Sequence, residues 1–368
     1  MAMKGPVWSL GCVSGAELDR VDAAMVLTDG VAVMELGPTA SRPYTGTEQR
    51  VLRAALGRWP GSAGVADAAR VVEEAHAEVM ARFHGARIAG FHGPTLAHDP
   101  AGRGIHQAGD GSLLSALLGL PVVWDFAGAD VRMGGQGGPL TPFYQHALAR
   151  RIGAGGPVAF LELGALARVT WADPSVGAPE APGALLAFDM GPAMALLADL
   201  ARVRHVQGSE TVGALALSGR TEGAMVATFL ADGYFLKVPP KWLSDAQFAA
   251  FLKTARTLST ADALRTLAAC VAAAVARGAE HFPAPPRYWL VSGAGRQNPA
   301  LMAELSARLA APVAPLEEAG LDGDMVQAQA IAHLAVRVRR GLPTTCPTTT
   351  GVAAAVGGGV VSRPPGDV

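Results

Sequence analysis

Residues 122–140 read VVWDFAGADVRMGGQGGPL, and this stretch says most about the fold. An apolar strand passes directly into two acids, Asp125 and Asp130, and into a turn that contains four glycines. Proteins of the α/β class use such a turn at the carboxyl end of a sheet, where backbone amides and carboxylates approach a ligand. The stretch therefore predicts an α/β protein with a ligand site at this sheet edge.

The polar residues of this stretch have two interpretations. Asp125, Asp130 and Gln136 are suited to hold a sugar hydroxyl or a magnesium-bound water. Alternatively, they cap the turn and satisfy its amides. Glycines such as Gly135 indicate that another group approaches the backbone closely. We therefore favour contact with a ligand.

Length and charge restrict the class of protein. A chain of 368 residues suits two domains, each with its own core. A net charge of −1 gives no electrostatic footprint for nucleic acid or an anionic membrane. No basic start precedes an apolar segment, and no apolar run approaches the roughly 20 residues that span a bilayer. We expect a cytoplasmic protein whose partners include neither nucleic acid nor membrane.

Cysteine and histidine spacing gives no sign of a disulfide or a metal centre. The three cysteines are an odd number and lack CxxC spacing, so we expect reduced, inert thiols. The nine histidines show no HxxxH or HExxH pairing. The sequence therefore predicts no resident metal site.

The order of strands and helices predicts two similar domains. Three alternating segments at the start predict antiparallel strands, as in an RNase H-like layer: Val7 to Cys12, Val21 to Leu27 and Val31 to Leu36. Two helices follow, the first capped by Thr47, and a buried strand then leads to the glycine turn. The same succession returns in the second half. We expect one domain over residues 1–127 with 350–368, and the other over 128–349.

Asp189 is the first candidate for chemistry. It follows the predicted strand Leu185 to Phe188 and precedes Gly191 and Pro192, with the proline placed to open a helix. Its carboxylate would then stand at a sheet edge, where it can act as a general base if it reaches a substrate. The residues alone allow an N-cap aspartate equally well.

A second glycine loop, SGAGRQN at residues 292–298, follows a predicted strand and opens a helix. The amides of such a loop can meet an adenosine or phosphate group. Glycine loops also occur in many folds without a nucleotide, so the signal is weak by itself.

These stretches and their companions together resemble one family. The companions are VSGAELD at residues 13–19, HGPT at 92–95, AFDMGP at 187–192 and TTG at 349–351. In order and spacing they resemble the anhydro-N-acetylmuramic acid kinases over nearly the whole chain. The resemblance implies two RNase H-like α/β domains facing a cleft, as in actin, hexokinase and Hsp70. It also implies a homodimer that uses ATP and Mg²⁺ in cell-wall recycling.

The resemblance assigns roles to individual positions. It implies that Asp189 activates the water that opens the 1,6-anhydro ring, while the freed sugar oxygen takes the γ-phosphoryl group of ATP. It places these residues at the nucleotide: Ser14, Gly15, Asp19, Gly293, Gly295 and Asn298. It places these residues at the sugar: His92, Thr95, Asp125, Asp130, Gly135, Gln136, Gly191 and Pro192.

The chain departs from the family pattern mostly at polar ligand positions. The family's phosphate-binding hairpin corresponds to residues 14–19. Here Ala16 replaces a threonine and Glu17 replaces a serine, so two hydroxyl donors are lost and a carboxylate is gained. The other departures are Arg20, Pro94, Ala127, Gly128, Ala129, Glu162, Ala165, Arg168, Ala193, Met194, Ala198, Gln327 and the segment Trp242 to Ala246. The pattern suggests either that the chemistry has been lost or changed, or that the pocket has been deliberately remodelled.

Three functions remain open. The first is the family kinase reaction in impaired form. The second is a non-catalytic pseudokinase whose cleft, lined by Met194, Trp242 and Leu243, holds an apolar ligand or serves as a scaffold. The third is a new reaction, with Glu17, Glu162 or Asp189 as the base.

We also expect the Asp189 carboxylate to be buried. It should open on the cleft between the two domains and lack a close cationic partner. Arg168 and Lys241 are the two cations that could reach it instead.

Overall fold

The computed structural model describes residues 5–243 and 247–366. Three of the expected departures from the family pattern, Ser244, Asp245 and Ala246, lie outside the described residues. So do residues 1–4 and 367–368, which belong to the ends of the expected first domain.

The described residues form thirteen strands. They are β1 Val7–Val13, β2 Arg20–Thr28, β3 Val33–Pro43, β4 Ile88–His92, β5 Thr95–Asp99, β6 Gly104–Gln107, β7 Val122–Trp124, β8 Val158–Leu163, β9 Leu166–Ala172, β10 Leu185–Pro192, β11 Trp289–Ser292, β12 Val313–Pro315 and β13 Val360–Ser362.

The α-helices of the described residues are likewise numbered along the chain. They are α1 Gly46–Ala54, α2 Val65–Met80, α3 Gly111–Leu118, α4 Gly128–Arg132, α5 Pro142–Arg151, α6 Met194–Val203, α7 Ser209–Leu217, α8 Gly223–Leu230, α9 Ala249–Ala255, α10 Thr260–Ala279, α11 Pro299–Arg308, α12 Val326–Arg339 and α13 Pro347–Thr350. Short 3₁₀ helices cover Gly233–Leu236, Ala294–Gln297 and Leu316–Ala319.

The first compact unit contains a six-stranded sheet in the order β13-β7-β4-β1-β2-β3. Strands β1, β2 and β3 pair antiparallel, whereas β4 runs parallel to β1 and β7 parallel to β4. Three antiparallel strands followed by parallel ones give the RNase H-like order that the opening strands predicted.

The second compact unit repeats this arrangement in a five-stranded sheet, β10-β9-β8-β11-β12. Here β8, β9 and β10 pair antiparallel, and β11 and β12 continue parallel to β8. Helix α10, which is buried along most of its length, covers this sheet. The fold class is therefore confirmed as α/β with two RNase H-like domains.

The compact units divide at other residues than the sequence suggested. Unit one comprises residues 1–151, 178–180 and 325–368, and unit two comprises 152–177 and 181–324. Helix α12, expected in the second domain, packs on β1, β2 and β4 of the first sheet. Helix α5 joins the same unit, because the Tyr144 hydroxyl donates to Gln329 Oε1 at 2.8 Å.

Two local predictions about helix starts were wrong. The N-cap of α1 is Thr45, whose hydroxyl accepts the Glu48 amide while the Glu48 carboxylate accepts the Thr45 amide. Pro192 does not open a helix, because β10 continues through it and α6 starts only at Met194.

Glycines allow α12 to lie close to the first sheet. A Cβ atom on Gly11 would stand 1.9 Å from the carbonyl oxygen of Ala328, and one on Gly90 would stand 2.5 Å from that of Ile331. The Ser9 hydroxyl donates to the Ala332 carbonyl at 2.7 Å. The helix backbone is therefore seated directly on β1 and β4.

We predict that Gly11→Ala lowers the free energy of unfolding by about 3 kcal/mol, because the added methyl group forces α12 away from the sheet. Urea unfolding measures the loss. Gly46→Ala is the matched control, because a Cβ there approaches only a flexible arginine side chain at 3.8 Å. Equal unfolding midpoints for the two variants would contradict the packing argument.

Candidate active site

The β1–β2 hairpin carries the expected nucleotide residues Ser14, Gly15 and Asp19. The Ser14 hydroxyl is buried and accepts a hydrogen bond from the Tyr44 hydroxyl at 3.2 Å. Its oxygen also lies 3.4 Å from His76 Nε2. The internal partners of Ser14 anchor the hairpin, while Ala16, Glu17 and Asp19 at its tip are exposed.

The protonation of His76 follows from its surroundings. His76 Nδ1 lies 2.7 Å from the Val72 carbonyl, which can only accept, so this nitrogen carries the proton. Burial lowers the pKa of His76 to about 3, so the ring is neutral and Nε2 accepts from Ser14. His76 and Tyr44 are residues that the sequence reasoning missed, since a helical stripe and a strand end give no sign of this role.

His92 and Thr95 come together at the β5–β6 hairpin. The Gln107 side-chain amide lies 3.0 Å from His92 Nε2, and Gln107 is the strand partner of Thr95. Burial lowers the pKa of His92 to about 4, so its ring is neutral near pH 7. Both expected sugar residues therefore adjoin Gln107, His92 through its ring and Thr95 through strand pairing.

Asp130 serves the glycine turn directly. Its two carboxylate oxygens accept from the Gly137 amide at 2.7 Å and from the Thr350 hydroxyl at 2.6 Å, and only 1% of the residue is exposed. A Cβ atom on Gly135 would stand 2.0 Å from Asp130 Oδ1. The close backbone approach implied by the glycine is thus an approach to Asp130, which matches the capping interpretation.

Asp125 is the more accessible acid of this stretch. It has a left-handed backbone, with φ of 53°, and accepts the Gly128 amide at 3.1 Å. Its side chain is 30% exposed and lies 3.9 Å from Arg132. Partial burial raises the pKa of Asp125. Of the two acids, Asp125 is the better placed for a ligand.

Asp189 lies in β10 and only 2% of it is exposed, as expected. The prediction that it lacks a close cationic partner was wrong, because Arg168 Nε donates to Asp189 Oδ1 at 2.9 Å. The other oxygen accepts the Leu243 amide at 3.1 Å. Both oxygens of this carboxylate thus have an internal donor, and neither donor belongs to the start of a helix.

Strand register produces the contact with Arg168. Arg168 on β9 is the cross-strand partner of Asp189 on β10 and of Glu162 on β8. Its guanidinium lies 2.9 Å from Asp189 and 4.0 Å from Glu162. The neighbouring Asp189 carboxylate raises the pKa of Arg168, so the guanidinium stays charged.

Lys241 does not reach the Asp189 carboxylate, but its backbone does contact Asp189. The Lys241 carbonyl accepts the Asp189 amide at 3.1 Å. The ammonium group lies over the Tyr234 ring, 4.9 Å from its centroid, and burial lowers the pKa of Lys241. The Tyr234 hydroxyl in turn donates to the Asp189 carbonyl.

Gly191 and Pro192 are buried at the end of β10. A Cβ atom on Gly191 would stand 3.0 Å from the Ala274 methyl group of α10. Gly191 therefore lies close against α10, and a side chain there would have to push Ala274 aside.

The loop at residues 292–298 packs on the β8–β9 turn. A Cβ atom on Gly293 would stand 2.7 Å from the Leu163 carbonyl oxygen, and one on Gly295 would stand 2.5 Å from Leu163 Cβ. Asn298 caps α11 by accepting the Leu301 amide at 3.1 Å. Its buried Nδ2 has no hydrogen-bond partner within the described part of the chain, which leaves both of its N–H donors unused.

A cavity of about 630 Å³ in the second unit borders two of the changed positions, Met194 and Ala198. It lies along α6 and the turn into α7. Its apolar lining is Met194, Leu197, Ala198, Ala201, Val206 and Val212, and its polar lining is Arg202, His205, Gln207 and Gly208.

Cys12, Cys270 and Cys346 are all buried and unpaired with one another. Within residues 5–243 and 247–366, no cluster of three His, Cys, Asp or Glu side chains is arranged to hold a metal ion. In the same ranges, every helix is too short or too polar to cross a membrane.

Comparison with known proteins identifies the family. The sequence model of anhydro-N-acetylmuramic acid kinase matches residues 7–363. The protein of that name from Cereibacter sphaeroides is 58% identical over 99% of this chain and 98% of its own length. The one from Ruegeria sp. strain TM1040 is 51% identical over 100% and 97%.

Solved structures show a weaker likeness. Xylulose kinase from Rhodospirillum rubrum has 15% identity and a TM-score of 0.44, covering 90% of each chain. The activator of the 2-hydroxyisocaproyl-CoA dehydratase from Clostridium difficile with bound ADPNP has 11% identity and a TM-score of 0.44, covering 91% of this chain and 96% of that one. At these TM-scores neither likeness bears on the fold or the function.

The family model and the two named relatives all match almost the whole chain. The sequence motifs that suggested this family lie within the matched region. The chain belongs to the anhydro-N-acetylmuramic acid kinase family.

Proposed function

We propose that this chain carries out the family reaction at a reduced rate. In this reaction water attacks the anomeric carbon of a 1,6-anhydro sugar and loses a proton to Asp189. The bond from that carbon to O6 breaks, and O6 takes the γ-phosphoryl group of ATP, releasing ADP. Membership of the kinase family supports the reaction, and the altered polar positions support the reduced rate.

The observation that carries the reduced rate is the contact between Arg168 and Asp189 at 2.9 Å. The family pattern has an asparagine where Arg168 stands. The guanidinium and the Leu243 amide each occupy one oxygen of the carboxylate. A general base must accept a hydrogen bond from the water it activates, and these two donors take two of the roughly four acceptor sites that a carboxylate offers.

Two groups of residues are proposed to contact the nucleotide. Ser14, Gly15 and Asp19 would face the phosphates, while Gly293, Gly295 and Asn298 would face the nucleoside. The unpartnered Asn298 amide supports the second group. Mg²⁺ would arrive with ATP as part of the substrate. Exposed Glu17 places a negative charge beside the triphosphate, which weakens its binding.

The sugar contacts divide into two kinds. We propose that His92, Thr95, Asp125 and Gln136 touch the sugar, since each retains some exposure. Asp130, Gly135, Gly191 and Pro192 would shape the site through packing and capping instead. A cytoplasmic location follows from the use of ATP, and a homodimer is proposed on the family pattern.

A second candidate function is the binding of a more apolar ligand without phosphoryl transfer. The cavity beside α6 favours it, because two positions that the family fills with polar residues are Met194 and Ala198 on its wall. Its volume of about 630 Å³ falls within the range of ordinary small-molecule sites.

We predict that Arg168→Asn raises the rate of sugar-dependent ADP release about tenfold or more, because it frees one oxygen of Asp189. The same change should lower stability by about 1–3 kcal/mol, because water partly screens an ion pair whose arginine side chain is 34% exposed. Arg277→Asn, on the surface of α10, is the control and should change neither. A rate that falls together with stability would contradict the proposal.

We predict that the double change Ala16→Thr with Glu17→Ser strengthens ATP binding, because it restores two hydroxyl donors and removes a negative charge. Isothermal titration calorimetry with MgATP measures the gain, which should shrink as salt screens the charge. Glu35→Ser removes an exposed carboxylate from β3 and serves as the control. Micromolar ATP affinity in the unchanged protein would sink the prediction.

For the second candidate function, the probe is 1-anilinonaphthalene-8-sulfonate, whose fluorescence should increase when it binds the cavity of the folded protein. We predict that Ala198→Trp abolishes this increase, because the indole ring occupies the cavity. Ala195→Trp, also exposed on α6 but outside the cavity lining, should leave the enhancement unchanged. Equal enhancement in both variants would show that the cavity does not take up the probe.

A further inference from the structure

A second cavity, of about 520 Å³, lies within the first unit. One wall is the turn of the β5–β6 hairpin, residues 100–104. The other wall is formed by Val131, Arg132, Gly134 and Gln136 at the end of α4 and in the glycine turn. Its lining contains two arginines, Arg103 and Arg132, and no acid.

The two walls are fixed to each other. His98 Nε2 on β5 donates a hydrogen bond to the Gln136 carbonyl at 2.7 Å. The Gln136 amide is held in turn by the Thr350 carbonyl at 3.0 Å. Because both walls are tied by hydrogen bonds, the cavity does not depend on ordering a loop around a ligand.

Arg103 is held in place by an aromatic ring. Its guanidinium lies 4.6 Å from the centre of the Trp59 ring, and Trp59 stacks at 6.5 Å on His106. The Arg103 amide donates to Asp99 Oδ2 at 3.0 Å, which fixes the backbone of the turn. Among the described residues, no ion pair involves the Arg103 guanidinium.

Arg132 is also weakly paired. Asp125 Oδ2 lies 3.9 Å away, beyond ordinary hydrogen-bond distance, and the Arg132 side chain is 70% exposed. The other carboxylate oxygen of Asp125 accepts a hydrogen bond from the Gly128 amide. Most of the donors on this guanidinium are therefore left for a ligand.

We infer that this cavity binds an oxyanion, a carboxylate or phosphate group of a small ligand, between Arg103 and Arg132. Planar guanidinium groups pair with such oxygens through strong, charge-assisted hydrogen bonds. The neighbouring acids are Asp99, which is engaged by the Arg103 amide, and Asp125, with which the ligand would compete for Arg132. The cavity shares Gln136 with the proposed sugar contacts, but the inference requires no phosphoryl transfer.

Calorimetry on the full chain without ATP tests the inference and keeps it separate from the proposed reaction. One arm titrates malonate and D-lactate, and the other titrates inorganic phosphate and methyl phosphate, all at low ionic strength. We expect at least one arm to give a Kd of about 1–10 mM, because simple anions offer few contacts. Binding in the first arm alone assigns a carboxylate, and binding in the second alone assigns a phosphate.

Arg103→Gln and Arg132→Gln should each weaken that binding about tenfold or more, and the double variant should abolish it. Arg70→Gln on α2, also exposed and outside the cavity lining, controls for the loss of one positive charge. Urea unfolding confirms that the variants remain folded. Undiminished binding in the double variant, or no binding below about 50 mM in either arm, would overturn the inference.

Discussion

The seating of α12 on β1 and β4 is the constraint from which much of the first unit follows. Without side chains at Gly11 and Gly90, the helix backbone touches the sheet, and Ser9 bonds directly to the Ala332 carbonyl. The chain that leaves α12 then returns across the unit to Thr350, which bonds to Asp130 and Gln136. The glycine turn at residues 134–138 is thus held in shape by Thr350, more than two hundred positions away.

The central charges of the second unit form a row across three strands. Glu162, Arg168 and Asp189 face one another because β8, β9 and β10 are paired in that register. Removing one charge from a buried pair leaves the other without its partner. A single substitution in this row is therefore destabilising. Arg168 stabilises the buried Asp189 carboxylate. The same contact hinders catalysis, because it engages an oxygen that a general base uses to accept a proton.

The glycines of the two loops have structural roles in addition to any ligand role. Gly135 leaves room for the Asp130 carboxylate, and Gly293 and Gly295 leave room for the β8–β9 turn at Leu163. A glycine-rich loop at the end of a strand is therefore weaker support for a ligand than the pattern suggests. The unpartnered Asn298 amide and the two weakly paired arginines are more informative, because each keeps donors that the protein does not use.

The sequence by itself determined the α/β class, the RNase H-like strand order, the family and the candidate residue types. These features rest on local alternation, on strand spacing and on motif order, all of which are properties of neighbouring residues. The strand that begins at Leu185 and the two helices that follow β3 were predictable in this way.

Only the tertiary structure decided which unit α12 joins, whether Asp130 faces a ligand or its own turn, and that Arg168 pairs with Asp189. Each depends on which strands and helices become neighbours after folding, and no local pattern encodes the distance between residues 130 and 350. Periodicity places a side chain on a face of its own element, whereas the partner it meets there is set by packing and register.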